Sequence, residues 1–297
     1  MTPRRTSASA TRRLAPAAAG VSRLRRLLGP LGSHLVLIFF AFTALAPLAL
    51  VAINTLKTHR EVVRSPLAVP GEPHWDNFEL AWRYGQFSRG FVNSALLSGT
   101  AVVTVLVCAT LAGYVLARRR VRHWRAVTIY FMLAMTVPIQ LFLFPLYYFF
   151  ARVLGLLGSL YGVGVVLAAL NMPLAVFLMR AFFLAVPEQL EEAARIDGAN
   201  TVRVLWSVLI PPVRPGLITV AVIVGLQAWN EFLITRTFLG QESITATLGL
   251  LSMNGTFTDN MSVMMAGTLL MIVPPLLFFV LVQRYFIEGL ISGALKG

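Results

Sequence analysis

Few side chains of this sequence have the types and spacing of a catalytic or metal site. A phosphate-binding loop needs a lysine directly after a glycine, and leucine precedes both lysines, Lys57 and Lys296. Cys108 is the single cysteine, so neither an intramolecular disulfide nor a cysteine zinc cluster is possible. The four histidines are scattered, at positions 34, 59, 74 and 123. We therefore expect a chain that is not an enzyme and that has no catalytic residue, metal or cofactor of its own.

Polar side chains inside apolar runs are the remaining candidates for chemistry. Glu231 follows Trp229 and Asn230 at the end of such a run. Ionisable groups within a membrane are costly and usually face a cavity or a partner. An indole can stack on a sugar ring, and the neighbouring amide and carboxylate can bind its hydroxyls. The alternative is that Glu231 lies at the outer interface and pairs with Arg236 or solvent.

Three further polar residues, Gln140, Asn171 and Gln227, lie inside apolar runs. They are candidates for a substrate pathway together with Trp229, Asn230 and Glu231. The alternative for each is a hydrogen bond between helices, which is the more common use of such residues in membranes.

The longest polar interruption in the apolar second half of the sequence is 187–215. Pro187 suits a first helical turn, and acidic residues after it suit the positive end of the helix dipole. These features predict a short helix at 188–196. Gly198 supplies the left-handed residue that ends such a helix.

A second helix is predicted to follow directly. Asn200 or Thr201 can cap its start, and Pro211 and Pro212 are expected to stop it. The stretch therefore predicts a helix, a glycine elbow and a second helix, which together form a compact knob on one face of a membrane.

This stretch resembles the EAA loop of ABC importer permeases, in which Glu-Ala-Ala is followed at fixed distances by glycine and by an apolar-proline pair. Two apolar positions depart conservatively from that pattern, Val208 and Ile210. The resemblance implies a coupling helix that docks in a groove of a cytoplasmic ATPase. The residues that it assigns to coupling are Glu192, Ala193, Ala194, Asp197, Gly198 and Pro211.

The composition agrees with a membrane protein. Of the 297 residues 57% are hydrophobic, against about 45–50% in typical soluble proteins. The net charge of +13 does not indicate nucleic-acid binding, because the basic residues gather at the ends of apolar runs. We expect a lipid environment and no nucleic-acid partner.

Six apolar runs are long enough to cross a hydrocarbon core of about 30 Å. The all-α fold is therefore predicted to be a polytopic membrane protein. An alternative for the first run is a cleaved signal peptide, since Ala44-Leu45-Ala46 resembles a cleavage site, but the run continues beyond it and Pro47 follows directly. The six predicted spans are 35–53, 91–117, 126–150, 159–179, 216–235 and 261–282.

The segments outside these spans complete the predicted organisation. Residues 1–33 form a basic tail that we expect to be disordered, and 34–90 hold the first span and an external loop with a short helix near 75–84. Residues 91–283 form the core and 284–297 a short tail.

The distribution of basic residues predicts the orientation of the chain in the membrane. With the amino terminus inside, eighteen of the 25 lysines and arginines lie in inside segments and seven in outside segments. Positive residues favour the inside, so both termini and the segment 187–215 are expected in the cytoplasm of a prokaryotic cell, with the chain in its plasma membrane.

The carboxyl-terminal stretch 283–297 and the Trp229-Asn230-Glu231-Phe232 stretch resemble the sugar-importing, MalG-type branch of these permeases. The resemblance implies the type I importer fold with six helices and a partner permease similar to MalF. It also implies two ATPase subunits, which bind ATP and magnesium, and an extracellular sugar-binding protein. The expected function is a carbohydrate importer permease. The alternatives are an amino-acid or peptide importer permease and, in another class, a non-transporting scaffold or channel.

Overall fold

The computed structural model describes residues 17–240, 243–256 and 260–294, with side chains for 32–240, 243–254 and 260–283. By its internal contacts the chain divides into two units, residues 1–51 and 52–297. The described residues form helices and connecting turns, without a strand, as the all-α prediction requires. The predicted tail at 1–16 lies outside the described residues.

Thirteen α-helices are described. Five are long: α1 (Ala17–Thr55), α4 (Phe87–Ala117), α7 (Leu160–Leu184), α10 (Ile210–Asn230) and α13 (Met261–Ala294), and α12 (Ala246–Thr256) is of intermediate length, like α5 below. The shorter ones are α2 (His59–Arg64), α3 (Asp76–Tyr84), α5 (Trp124–Ala134), α6 (Leu143–Phe149), α8 (Glu188–Ile196), α9 (Thr201–Arg203) and α11 (Leu233–Phe238). A 3₁₀ turn at Ile139–Phe142 and two wide π-helical segments, Phe150–Leu154 and Val204–Leu209, complete the described helical structure.

Five described helical segments are long and apolar enough to cross a membrane, or six if one bent pair counts as a single span. The bent pair corresponds to the third predicted span, and its two halves, 124–134 and 139–154, meet at 92°. The third predicted span is therefore present as a bent pair of helical segments. Pro138, in an extended conformation, explains the break, because proline disfavours helix in the residue before it and lacks an amide hydrogen.

Two other boundaries also differ from the prediction. α1 begins at Ala17, so residues 17–33 are helical although we expected disorder. Alanine, leucine and arginine, which dominate this part, are strong helix formers. The fifth span ends at Asn230 and does not continue to residue 235, because the backbone of Glu231 is extended and a new short helix starts at Leu233.

The core lies where α4, α7 and α10 pack together, and its buried residues include Val105, Val176 and Val220. α4 and α7 approach closely at glycines. A Cβ on Gly113 would lie 2.8 Å from Cβ of Met179, and one on Gly164 would lie 2.7 Å from Cβ of Thr100. Small residues allow such backbone approach between membrane helices, so these glycines set the distance between the two helices.

The polar segment between the first two spans is anchored by a buried lysine. Lys57 is 1% exposed, and its Nζ donates hydrogen bonds to Asn54 Oδ1 at 2.9 Å, to the Ser65 carbonyl at 2.9 Å and to the Pro66 carbonyl at 3.1 Å. Three acceptors satisfy the three donors of an ammonium group. The turn after α1 is thereby fastened to the end of α2, and the expected short helix follows as α3.

Candidate functional site

α8 begins and ends where the sequence predicts. It spans Glu188–Ile196, and Gly198 follows at φ +83°. The amide of Ala199 donates to the Ala194 carbonyl at 2.9 Å, and the amide of Gly198 donates to the Arg195 carbonyl at 3.0 Å. This pair of hydrogen bonds defines a Schellman turn, in which glycine takes the left-handed position. The predicted glycine elbow is confirmed.

The helix after the elbow starts as predicted but does not end where predicted. Asn200 caps it, because its Oδ1 accepts from the amide of Arg203 at 2.8 Å. Pro211 and Pro212 do not stop the helix: they lie in the first turn of α10, directly after the π-helical segment. Proline is tolerated there, because first-turn amides need no intrahelical acceptor. The second half of the knob is therefore continuous with a membrane span, over residues 201–230.

A carboxylate that the sequence analysis did not single out for a role lies at the centre of this region. Glu191 accepts a hydrogen bond from the hydroxyl of Tyr114 at 2.9 Å and from Nε of Arg118 at 3.1 Å. Its Oε1 also pairs with Nη2 of Arg120 and, at 3.1 Å, with Nη2 of Arg195. The Glu191 side chain is 7% exposed and that of Arg118 is 5% exposed. We call these five residues the Glu191 cluster.

The other residues of the Glu191 cluster stabilise the ionised form of the Glu191 carboxylate. Burial alone would raise the pKa of Glu191, but hydrogen bonds from Tyr114, Arg195 and Arg118 and the positive charge of Arg120 outweigh burial. The net result is a pKa below the ordinary value for glutamate. The carboxylate in turn raises the pKa of the Arg195 guanidinium, so the cluster stays charged at neutral pH.

The backbone after α4 brings the arginines to this carboxylate. Arg119 has φ +51°, and the amides of Arg119 and Arg120 donate to the carbonyls of Leu116 and Val115 at 3.4 and 3.1 Å. This is a second Schellman turn, with arginine where glycine is usual, at a cost of about 1 kcal/mol. The reversal folds Arg120 back beside Arg118, and both reach Glu191.

The residues of the Glu-Ala-Ala pattern lie next to the Glu191 cluster, on the exposed part of α8. Glu192 and Ala193 are exposed, and Ala194 is half-buried. Glu192 has no ion pair with the described residues, and it borders a polar cavity of about 230 Å³ that Glu188, Glu191 and Arg195 also line. Asp197 is exposed at the end of α8. A charged, accessible surface of α8 therefore lies beside the Glu191 cluster.

The pathway candidates are only partly brought together. Trp229 lines a largely apolar cavity of about 300 Å³ between α4, α10 and α13, with Ser98, Pro274 and Phe278 among the lining residues. Its indole N–H is buried without a hydrogen-bond partner in the described part of the chain. The indole lies 5.9 Å from the ring of Phe91, between ring centroids.

The neighbours of Trp229 have structural partners of their own. Asn230 donates to the Leu226 carbonyl at 2.9 Å. The carboxylate of Glu231 accepts hydrogen bonds from the amides of Ile234 and Thr235 at 2.8 and 2.9 Å, so it caps the short helix α11.

Neither Gln140 nor Asn171 lines this cavity. Gln140 is exposed in the 3₁₀ turn before α6. Asn171 donates to the Leu167 carbonyl at 2.8 Å within its own helix, rather than to another helix.

The fold and the helical elbow are those expected of a multi-pass membrane permease, and comparison with known proteins places the chain in a family. Residues 109–291 match the family described as "Binding-protein-dependent transport system inner membrane component". The chain belongs to this family.

Two relatives and one solved structure illustrate the similarity. The arabinooligosaccharides transport system permease protein AraQ of Halalkalibacterium halodurans is 30% identical over 285 residues, covering 92% of this chain and 100% of the relative. The melibiose/raffinose/stachyose import permease protein MelC of Bacillus subtilis is 29% identical over 231 residues, covering 77% of this chain and 83% of the relative. A chain from the crystal structure of a bacterial ABC transporter involved in the import of the acidic polysaccharide alginate matches with a TM-score of 0.72 at 23% identity, covering 89% of this chain and 98% of the other. It confirms the predicted permease fold.

Proposed function

We propose that the chain is a permease subunit of an ATP-driven carbohydrate importer. The observation that carries the proposal is the α8–Gly198 elbow, which presents the Glu-Ala-Ala pattern on an exposed surface in a chain of this family. Relatives named as permeases for arabinooligosaccharides, for melibiose, raffinose and stachyose, and for diacetylchitobiose, the last from Streptomyces coelicolor, support carbohydrate as the substrate class.

We propose that α8 docks on a cytoplasmic ATPase subunit. Glu192 is exposed at the edge of a polar cavity that Arg118, Arg120 and Arg195 also line, and a basic side chain of the ATPase that approached the exposed Glu192 carboxylate from outside would gain a charge-assisted contact. The chain contributes no ATPase site under this proposal, so hydrolysis belongs to two partner subunits that bind ATP and magnesium. Both termini would be cytoplasmic, in agreement with the excess of basic residues in the inside segments.

We propose that the cavity between α4, α10 and α13 forms part of the translocation pathway, completed by a second permease. α13 runs without a break through Pro274 and Pro275. Pro274 and Pro275 line this cavity, and neither has an amide hydrogen for the carbonyl four residues earlier. Its apolar lining and the indole of Trp229 suit weak stacking on a sugar ring. Such contacts would let a substrate pass without being held, and an extracellular binding protein would supply specificity.

The proposal is tested with the chain co-expressed with the permease, ATPase and binding-protein genes nearest to its own. Affinity purification through a tag on this chain should retain both ATPase subunits and the second permease. Proteoliposomes of the complex with the binding protein should take up at least one sugar from a panel of arabinooligosaccharides, raffinose, stachyose and diacetylchitobiose. Uptake of amino acids or peptides but of no sugar would show that the chain belongs to an amino-acid or peptide importer. Purification of the chain without an ATPase would favour a scaffold or channel.

A further inference from the structure

The Glu191 cluster joins two segments that are far apart in sequence. Tyr114, Arg118 and Arg120 belong to the end of α4 and the turn after it, and their partner Glu191 belongs to α8. These contacts bridge 71 to 77 positions of the chain. The end of a membrane span is therefore connected directly to the helix that carries the Glu-Ala-Ala pattern.

Arg118 extends the connection to a third segment. Its Nη1 donates to the Phe183 carbonyl at 3.3 Å, and its Nη2 donates to the Val186 carbonyl at 3.2 Å. These carbonyls belong to the end of α7 and the short link to α8. One guanidinium thus fixes the end of α4, the link and α8 in a single arrangement.

The burial of the cluster makes this arrangement hard to open. Both Arg118 and Glu191 are almost fully buried, so separating α8 from α4 would leave the Arg118 guanidinium without its buried carboxylate partner. Exposed ion pairs, in contrast, exchange readily with water and contribute little. A displacement of α8 is therefore expected to move the end of α4 with it.

We propose that Glu191 is a positioning residue that makes α8 and the end of α4 move as one body, so that a displacement of α8 by an ATPase reaches the membrane helices. This inference rests on the proposed docking of α8. It assigns to Glu191, Tyr114, Arg118 and Arg120 a role in transmission inside the chain. Glu192, in contrast, faces outward towards the ATPase.

The chain offers a control that separates this role from general stabilisation. Arg195 pairs with the same carboxylate, but it lies four residues further along α8 itself. Its loss removes an ion pair within α8 and a contact with Thr201 Oγ1 at 3.4 Å, but it leaves the ion pairs of Glu191 with Arg118 and Arg120 intact. Arg118→Gln and Arg195→Gln should therefore differ, whereas a merely stabilising cluster would be weakened by both.

The test uses the complete transporter in lipid nanodiscs, with nitroxide labels on the native Cys108 of α4 and on Gln189→Cys of α8. Both positions are exposed. Double electron–electron resonance gives the distance between the labels without nucleotide and with ATP and vanadate. We expect the same narrow distribution in both states for the reference protein and for Arg195→Gln.

For Glu191→Gln and Arg118→Gln we expect a distribution that broadens and shifts when ATP and vanadate are added. Tyr114→Phe removes one hydrogen bond and no charge, so it should broaden the distance distribution less. This variant still tests the inference if the two charge variants fail to assemble. A shift in the reference protein, or distributions unchanged by all three substitutions, would overturn the inference. Absence of the ATPases from the purified reference complex would instead overturn the proposed function.

Discussion

Nε of Arg118 lies 3.1 Å from Oε2 of Glu191, and both side chains are less than one tenth exposed. The two residues are 73 positions apart, and their contact joins the end of a membrane span to the helix before the glycine elbow. Removing one member of such a buried pair leaves the other charge uncompensated, which typically costs about 3–5 kcal/mol. This contact is the basis for the first prediction.

The stabilisation by Glu191 should depend on pH in the acidic range only. Its pKa is lower in the folded protein than the ordinary value of 4.5, so the stabilisation is complete above that value and is lost as the pH falls through the folded pKa. The melting temperature of the detergent-purified chain should exceed that of Glu191→Gln by a constant amount between about pH 6 and 8. The difference should shrink below about pH 4.5. A difference that grew on acidification would contradict the assigned ionisation.

Gly198 should tolerate asparagine better than valine. No atom lies within 4 Å of a Cβ built on this residue, so the constraint is its φ of +83°. Asparagine adopts left-handed conformations several times more often than most residues, whereas a β-branched residue is a true outlier there. Gly198→Val should lose most of the uptake in proteoliposomes at matched protein levels, and Gly198→Asn should retain most of it. Equal uptake by the two variants would remove the left-handed elbow from the mechanism.

Gly113 should be intolerant of a larger side chain. A Cβ there would meet Cβ of Met179 at 2.8 Å and the backbone nitrogen of Arg180 at 2.9 Å, so Gly113→Ala should force α4 and α7 apart at a cost of about 1–3 kcal/mol. The matched control is Gly99→Ala on the same helix, where nothing lies within 4 Å of the new Cβ. Thermal melting in detergent should show a clear loss for the first variant only. Similar melting temperatures would mean that the close packing is not maintained in the membrane.

The orientation predicts which cysteines can be labelled from outside. In a Cys108→Ala background, single cysteines at Ser7 and at Gly71 are treated with a membrane-impermeant maleimide on intact cells. The excess of basic residues in the inside segments predicts labelling at position 71 and none at position 7. Both cysteines should react after the cells are opened. Labelling of intact cells at position 7 but not at position 71 would contradict the predicted orientation and indicate the opposite one.

Local signals in the sequence were sufficient for α8 and its elbow. Pro187, the acidic first turn and Gly198 act within a few residues, so the helix boundaries at 188 and 196 could be predicted. Prolines were a weaker guide. Pro138 breaks a span, whereas the helical segment 201–230 continues through Pro211 and Pro212, because the effect of a proline depends on whether its missing amide hydrogen was needed.

The Glu191 cluster could not be predicted in the same way. Five arginines follow the second span, and three glutamates precede the elbow, but nothing in the sequence says which of them meet. The one available signal was the i, i+4 spacing of Glu191 and Arg195, which marks a charged face of α8. The pairing with Arg118 depends on the close packing of α4 against α7, and the pairing with Arg120 depends on the left-handed Arg119. Both become visible only in the folded chain.

The central claim, that an exposed face of α8 transmits ATPase action, is tested most directly at Glu192. Glu192→Ala removes an exposed carboxylate that has no ion pair with the described residues, so the fold should be unaffected. The measurement is sugar uptake beside ATP hydrolysis in proteoliposomes of the complete transporter, with equal amounts of protein. We expect uptake to fall at least tenfold, which corresponds to about 1.4 kcal/mol of lost coupling, because the ATPase docks poorly or hydrolyses ATP without transport. Reference-level uptake with reference-level hydrolysis would contradict the coupling role of α8.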